Sequence, residues 1–306
     1  MAFYYGLNVL VTGGYGLIGK PLVTMLEEQG ANVTIYDKTD GKDVNSVSHL
    51  ETAVRGKDIV FHLAAISGVE HSRELGYHAW YVNTFGTLNV LEAIKRNGNI
   101  ATGVFATSNH VYGRQESFPV RENAPMNQLD TYSASKIAAD YMARSYYHNY
   151  KTSTVIIRNT NCFGPDDPHL DHLIPGTIMS VLDGERPIIK SRGTTRKTYL
   201  HVDDVARAYL QIAQYCIERE VYGDAFNVAG EPISVLELVR LILNVMGSNL
   251  NPIIKGTDDD QQDEGMDDRK ARALAGWEQQ IPLEEAIALT VAGFKERYEH
   301  TGNSTG

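Results

Sequence analysis

Cysteine is scarce in this chain: Cys162 and Cys216 are the only two, and they stand far apart. That excludes a disulfide framework and a cysteine-based metal motif, so no metal is expected, and it suits a reducing cytoplasm. Long apolar runs are missing too. No stretch approaches the length of a membrane span, and the N-terminus has no basic segment leading into an apolar core, so neither an anchor nor a secretory signal is expected. Basic residues are outnumbered, 28 Lys and Arg against 38 Asp and Glu, for a formal net charge of −10. That sign argues against nucleic acid as a partner, although a locally positive cleft can still hold a small anion. The 306 residues are 42% hydrophobic and 22% charged, the balance of an ordinary soluble globular chain with one large domain or two modest ones.

What the sequence does have, at its start, is an apolar run from Leu7 to Val11 that breaks into Thr12-Gly13-Gly14-Tyr15-Gly16-Leu17-Ile18-Gly19 and resumes as Lys20 to Glu27. This reads as strand, tight turn and helix. Glycines so spaced have separate jobs: one permits the turn, one lets backbone approach a pyrophosphate, and one lets helix pack on strand. The phosphates would sit at the helix N-terminus, where N–H groups and the dipole attract anions. A second strand, Asn32 to Tyr36, ends in Asp37, about 20 residues past the glycines, where a carboxylate can bond an adenosine ribose. A carboxylate repels a 2′-phosphate, so the expected cofactor is NAD and not NADP.

Strand-like and helix-like segments then alternate. Ser48 to Arg55 reads as helix, Asp58 to Ala65 as a buried strand, Asn83 to Arg96 as helix, Gly103 to Ser108 as strand, Tyr132 to Tyr150 as helix and Ser153 to Ile157 as strand. The alternation predicts an α/β fold, a doubly wound parallel sheet of Rossmann type over residues 1–160. His62 is expected to be a packed histidine. Beyond Arg158 the turns of Phe163 to Pro168 and a helix from Pro175 to Leu182 mark a smaller substrate-binding lobe, mainly residues 161–300, with the chain returning to the sheet near Tyr199–Val202 and Ala225–Val228. The acidic run Asp258 to Glu264 is expected to be a solvated loop, and residues 301–306 a frayed tail. There is no internal repeat.

Chemistry is carried by Tyr132 and Lys136, four residues apart and so on one helix face. A phenol ordinarily ionises near pH 10, but a neighbouring cation favours the phenolate and moves it toward use as a base. Lys136 can supply that cation and reach a cofactor ribose. Ser108, at the C-terminal end of a sheet strand, can hydrogen-bond the same substrate oxygen.

These residues, with Thr12 to Gly19 and Asp37, resemble the extended short-chain dehydrogenase/reductase family, specifically its NAD-dependent sugar-nucleotide epimerases and dehydratases. Further matches are His62-Leu63-Ala64-Ala65, Val111-Tyr112-Gly113, Arg158 to Pro165, Tyr199 to Val205 and Lys270 to Trp277. The resemblance implies that Gly13, Tyr15, Gly16, Leu17, Ile18, Gly19, Asp37, Leu63, Ala64, Ala65, Tyr132 and Lys136 hold NAD. It implies that Ser108, Tyr132 and Lys136 are catalytic, that Asn109 and Asn161 meet the substrate, that Arg196 pairs with its diphosphate, and that the chain is a homodimer through the helices beginning near Asn83 and Tyr132.

Two departures stand out. After the serine, 4,6-dehydratases carry an aspartate acid, whereas here Ser108 is followed by Asn109 and His110, and an amide cannot donate a proton as an acid does. His110 is a candidate second acid or base. At Gln262 many relatives carry a diphosphate-clamping arginine, leaving Arg269 or Lys190 to replace it. The expected function is epimerisation of a nucleotide sugar by transient hydride transfer to bound NAD. Uronate or sugar oxidation, 4,6-dehydration and an NAD-sensing scaffold without chemistry are the alternatives.

Overall fold

The computed structural model describes residues 2–256 and 263–302. In chain order the strands are β1 (Asn8–Thr12), β2 (Asn32–Tyr36), β3 (Ile59–His62), β4 (Thr102–Ser108), β5 (Thr154–Asn159), β6 (Asn161–Phe163), β7 (Ile188–Ile189), β8 (Arg196–His201), β9 (Asp224–Val228), β10 (Pro232–Ser234) and β11 (Ile253–Ile254). The helices are α1 (Gly19–Glu28), α2 (Val47–Val54), α3 (Val69–Leu75), α4 (Tyr77–Trp80), α5 (Thr87–Asn97), α6 (Thr131–Tyr150), α7 (Leu173–Leu182), α8 (Val202–Arg219), α9 (Val235–Val245), α10 (Arg269–Ala275) and α11 (Leu283–Gly302). A π-helical segment, Tyr81–Gly86, joins α4 to α5.

Strands covered on both faces need apolar side chains on both, which is why β3 and β5 are buried at every position. Alternation sorts the faces: Val9 and Val11 of β1 enter a core shared with α1, α8 and α10, whereas Leu10 enters the opposite core with α2, α5 and α6. The sheet order is β2-β1-β3-β4-β5-β9, all parallel. The order reverses beside β1, and ligands of open α/β sheets bind beyond the C-terminal strand ends at such a point.

One sequence expectation needs correction. The segment Tyr199–Val202 does not return to the main sheet; β8 instead pairs with β6 and β10 in a separate three-stranded sheet. The open edge of β5 is taken by β9 over five paired positions, so β8 has no place there. Its sheet lies against α7, α9 and α11, whose Ile178, Leu238, Ile242 and Ile287 form the second lobe's core. Among the described residues, no helix is long and apolar enough to cross a membrane.

Candidate active site

A cavity of about 490 Å³ opens at the C-terminal end of the main sheet, lined by Gly13, Gly16, Leu17, Ile18, Gly19, Leu63 and Ala65 on one side. Two glycines are dictated by packing. Gly13 has φ +72°, and a Cβ there would lie 2.7 Å from the Ala64 nitrogen; one on Gly19 would lie 2.1 Å from the Gly13 carbonyl oxygen. Only a bare backbone lets β1, the loop after β3 and α1 approach so closely. Ile18, at the α1 N-cap, offers no side-chain cap; Pro21 has no N–H and the Lys20 N–H bonds the Gly16 carbonyl at 3.1 Å, so in the first turn it is the Gly19 N–H that an anion can meet.

Asp37 ends β2 and is held in place: its Oδ2 accepts the Tyr15 N–H at 3.2 Å and its Oδ1 the Thr39 N–H and hydroxyl, both at 2.9 Å. Tyr15 donates its hydroxyl to Asp40 at 3.1 Å. Tyr15, Asp37 and Ala64 thus flank the cavity without lining it. His62 is packed, as expected. Its ring bridges Thr12 (2.8 Å) and Thr87 (3.0 Å), and burial, aided by the Lys136 charge, pushes it down to about 3.

The loop after β3 is clamped by a residue the sequence reading missed. Asn83, buried in the π-helical segment, accepts the Ile66 N–H (2.7 Å) and donates to the Ile66 carbonyl (3.0 Å) and Ser135 Oγ (2.9 Å). The wider π turn sets Asn83 between that loop and α6.

On the other side of the cavity lie Ser108, Asn109, His110, Tyr132, Lys136, Asn161 and Lys197. Asp130 caps α6 by accepting the Ser133 N–H at 2.9 Å, which puts Tyr132 in the first turn and Lys136 one turn on. Ser108 Oγ accepts the His110 N–H and donates to Asn109 Oδ1, each at 3.2 Å. The His110 and Tyr132 rings meet edge to face, 6.0 Å apart.

The expected effect of Lys136 on the phenol is not what the geometry gives. Burial pushes Tyr132 up to about 12, against a hydrogen bond with Ser108 that pulls the other way. Lys136 itself donates to the Ala106 carbonyl at 3.1 Å, and burial pushes it down to about 8. Desolvation outweighs the serine hydrogen bond here.

Arg196 requires a further correction. It points out of the cavity, donating to the Pro232 carbonyl at 2.5 Å and standing 3.7 Å from Glu237. Strand alternation turns its neighbour inward, so Lys197, not Arg196, joins Lys136 in the cavity wall. Lys197 pairs at 2.8 Å with Glu264, whose other oxygen accepts Asn109 Nδ2 at 3.3 Å. A hydrogen bond with Asn161 completes the cluster, and although burial opposes it, Lys197, His110 and Asn161 together hold the Glu264 carboxyl below its usual range. Asn161 also donates to the Thr198 carbonyl at 3.1 Å.

Glu264 was expected in a solvated acidic run; positions 258–262, Gln262 included, lie outside the described residues. Of the proposed replacements for an arginine there, Arg269 is engaged by Asp267 at 2.5 Å, and Lys190 lines a neighbouring cavity of about 460 Å³ with Lys197 and Tyr199.

Comparison with known proteins identifies the family. A putative UDP-glucose 4-epimerase of Methanocaldococcus jannaschii is 30% identical over 94% of this chain and 98% of its own length. A UDP-glucose 4-epimerase of Thermotoga maritima, solved with UDP-glucose, superposes with a TM-score of 0.86 at 25% identity, covering 95% of this chain and all of that one. A dTDP-glucose 4,6-dehydratase of Streptomyces venezuelae, solved with NAD bound, gives 0.84 at 25% identity over 96% and 98% of the two chains. The family model described as "NAD dependent epimerase/dehydratase family" matches residues 9–229. A glycine turn on an uncapped helix, an acidic strand end, and Ser108, Tyr132 and Lys136 around one cavity are thus found in a chain that belongs to the NAD-dependent epimerase/dehydratase family.

Proposed function

We propose that this chain epimerises a nucleotide-activated sugar at a hydroxyl-bearing carbon. The observation that carries the reading is that Ser108, Tyr132 and Lys136 meet in one cavity while position 109 holds an amide in place of an acid. NAD, held by the β1–α1 turn, Asp37 and Lys136, supplies the hydride acceptor when bound. Tyr132 takes the proton of the sugar hydroxyl, Ser108 hydrogen-bonds the same oxygen, and the proton returns from Tyr132 when the ketone is reduced on its other face. Asn161 and Lys197 bind the activated end of the substrate.

Dehydration is disfavoured by the amide at residue 109 and by the pairing of two nearby carboxylates. Asp166 is paired with Lys20 (2.7 Å) and Arg297 (3.1 Å), and Asp167 with His172 (3.3 Å). Glu264 is kept ionised, so it can accept a proton but is a poor donor. One observation favours a second reading, oxidation of a free sugar acid: the cavity cation Lys197 is already neutralised by Glu264, which weakens the claim of a diphosphate.

The same reading proposes a homodimer, supported by exposed aromatics on the α4, π and α6 surface, where Tyr77 is 77%, Phe85 51% and Tyr141 57% exposed. It places the chain in the cytoplasm, consistent with its two unpaired thiols. Incubating the protein and NAD with nucleotide-activated glucose and galactose, and separately with free uronates, decides among these. An inverted sugar at unchanged mass supports the proposal. Accumulating NADH with uronates, or a nucleotide sugar lighter by one water, replaces it.

A further inference from the structure

The loop after β6 carries three histidine and aspartate side chains that the reading above does not use. His169, Asp171 and His172 line the cavity wall, and one donor atom from each lies within 4.8 Å of the others. Zinc held by nitrogen and oxygen donors in a tetrahedron places them about 3.3 Å apart, a gap that rotamer adjustment of partly exposed side chains closes. The two imidazole rings already face each other, with centroids 4.8 Å apart.

The loop is built to aim these rings. Asp167, only 2% exposed, accepts the His169 N–H on Oδ1 at 3.0 Å and meets His172 Nδ1 with Oδ2 at 3.3 Å. A carboxylate on one ring nitrogen fixes the tautomer and leaves the lone pair of the other, here Nε2, for a metal, the arrangement that metal-bound histidines ordinarily have. Ser67 Oγ lies 2.8 Å from His169 Nε2, and the His71 ring on α3 stands 6.4 Å from that of His169.

We propose that His169, Asp171 and His172 form a binding site for a divalent transition-metal ion, zinc or cobalt in preference to magnesium or calcium. Two imidazoles and one carboxylate suit a borderline ion, whereas the hard cations take oxygen donors. Three protein ligands leave a coordination position open, and because the ligands line the cavity, that position is available to His71 or to an oxygen of a bound ligand.

The test uses the full-length, tag-free protein stripped with chelator. Titration calorimetry should give one zinc per chain with micromolar or tighter affinity, and cobalt should produce the visible absorbance of a four-coordinate site. His169→Ala and His172→Ala should each weaken zinc at least about tenfold, Asp167→Asn about tenfold through ring orientation. His148→Ala, at an exposed histidine elsewhere, should change nothing. Undiminished binding in a folded His169→Ala/His172→Ala double variant overturns the proposal, as does wild-type affinity weaker than about 100 µM. Should the variants misfold, X-ray absorption of the zinc-loaded wild type decides: two imidazoles and a carboxylate oxygen at about 2.0–2.2 Å support the site, and an all-oxygen or sulfur shell refutes it.

Discussion

Replacing Tyr132 by Phe keeps the ring and removes only the oxygen that takes the proton. Burial holds this phenol at about 12 against an ordinary value near 10. At pH 8 a group of that acidity is ionised in about one molecule in ten thousand, so the reactive form is scarce and its population rises about tenfold per pH unit. Turnover by the wild type should therefore climb with pH from 6 to 8, steeply at first. It should flatten as Lys136, which burial holds at about 8, loses its charge. General-base catalysis is worth about 10²–10⁴, so Tyr132→Phe should lower turnover by about 100-fold or more and flatten the pH dependence, with NAD binding retained. The assay is product formation from the nucleotide sugar that the mass-spectrometric screen identifies, at half-unit pH steps, with NAD affinity by calorimetry. A variant within about tenfold of wild type, or one with the same rise with pH, would refute Tyr132 as the base.

Asp37, fixed at the end of β2, predicts that calorimetry finds NAD binding more tightly than NADP, and that Asp37→Ala narrows the difference; equal affinities in the wild type would remove its ribose role. Because Lys197 faces the cavity and Arg196 does not, Lys197→Met should raise KM for a nucleotide sugar by about tenfold and Arg196→Met by less than about twofold, and steady-state kinetics showing the reverse order would restore Arg196. His62 stays neutral when folded, near 3, while the unfolded chain protonates it near 6.5. Its contribution is intact above pH 6.5 and falls as pH drops below that, by about 2 kcal/mol at pH 5, so urea titrations should show a smaller pH 7 to pH 5 loss in His62→Gln than in wild type. Light scattering at micromolar concentration should give a dimer mass, and Tyr81→Asp, on the exposed aromatic surface, should shift it toward the monomer.

How far the sequence alone reaches depends on what fixes each feature. Strands buried on both faces carry apolar runs such as Val9–Val11, Ile59–Phe61 and Val155–Ile157, so β1, β3 and β5 stand out, and Gly13 and Gly19 are legible because any Cβ would strike backbone. Ser108, Tyr132 and Lys136 are readable for a similar reason, since strand end and helix phase put them together locally. The phase of β8 is different. Whether Arg196 or Lys197 faces the cavity is decided by pairing with β6 and β10, and one residue of register reverses every side chain. Glu264 has no local signal at all: it follows a polar run and is brought in when its N–H bonds the Arg196 carbonyl at 2.8 Å and Met266 bridges to Val120. Asn83 was hidden by the π turn, which shifts a residue off the face that a 3.6-residue period assigns it.

The late arrival of Glu264 changes the proton inventory of the cavity, and that inventory separates the candidate reactions. Inversion at a carbinol carbon needs one proton taken and the same proton returned, which a single phenol with a serine beside it can manage. Loss of water from the neighbouring carbons needs two further groups, an acid for the departing hydroxyl and a base for the adjacent C–H. Glu264 supplies a carboxylate, a second candidate for the base beside His110. Lys197 at 2.8 Å, His110 and Asn161 all stabilise the ionised form of Glu264, and the amide of Asn109 hydrogen-bonded to it has no acidic proton to give, so the acid's role is left to His110. A further acid is supplied by changing residue 109: Asn109→Asp places one where dehydratases of the resembling family carry it. Its repulsion by Glu264 would raise the new carboxyl toward the protonated state. Asn109→Asp should therefore release a detectable fraction of dehydrated product, lighter by one water, from a nucleotide-activated glucose that the wild type leaves at full mass; dehydration by the wild type at a comparable rate would show that the acid comes from elsewhere in the cavity.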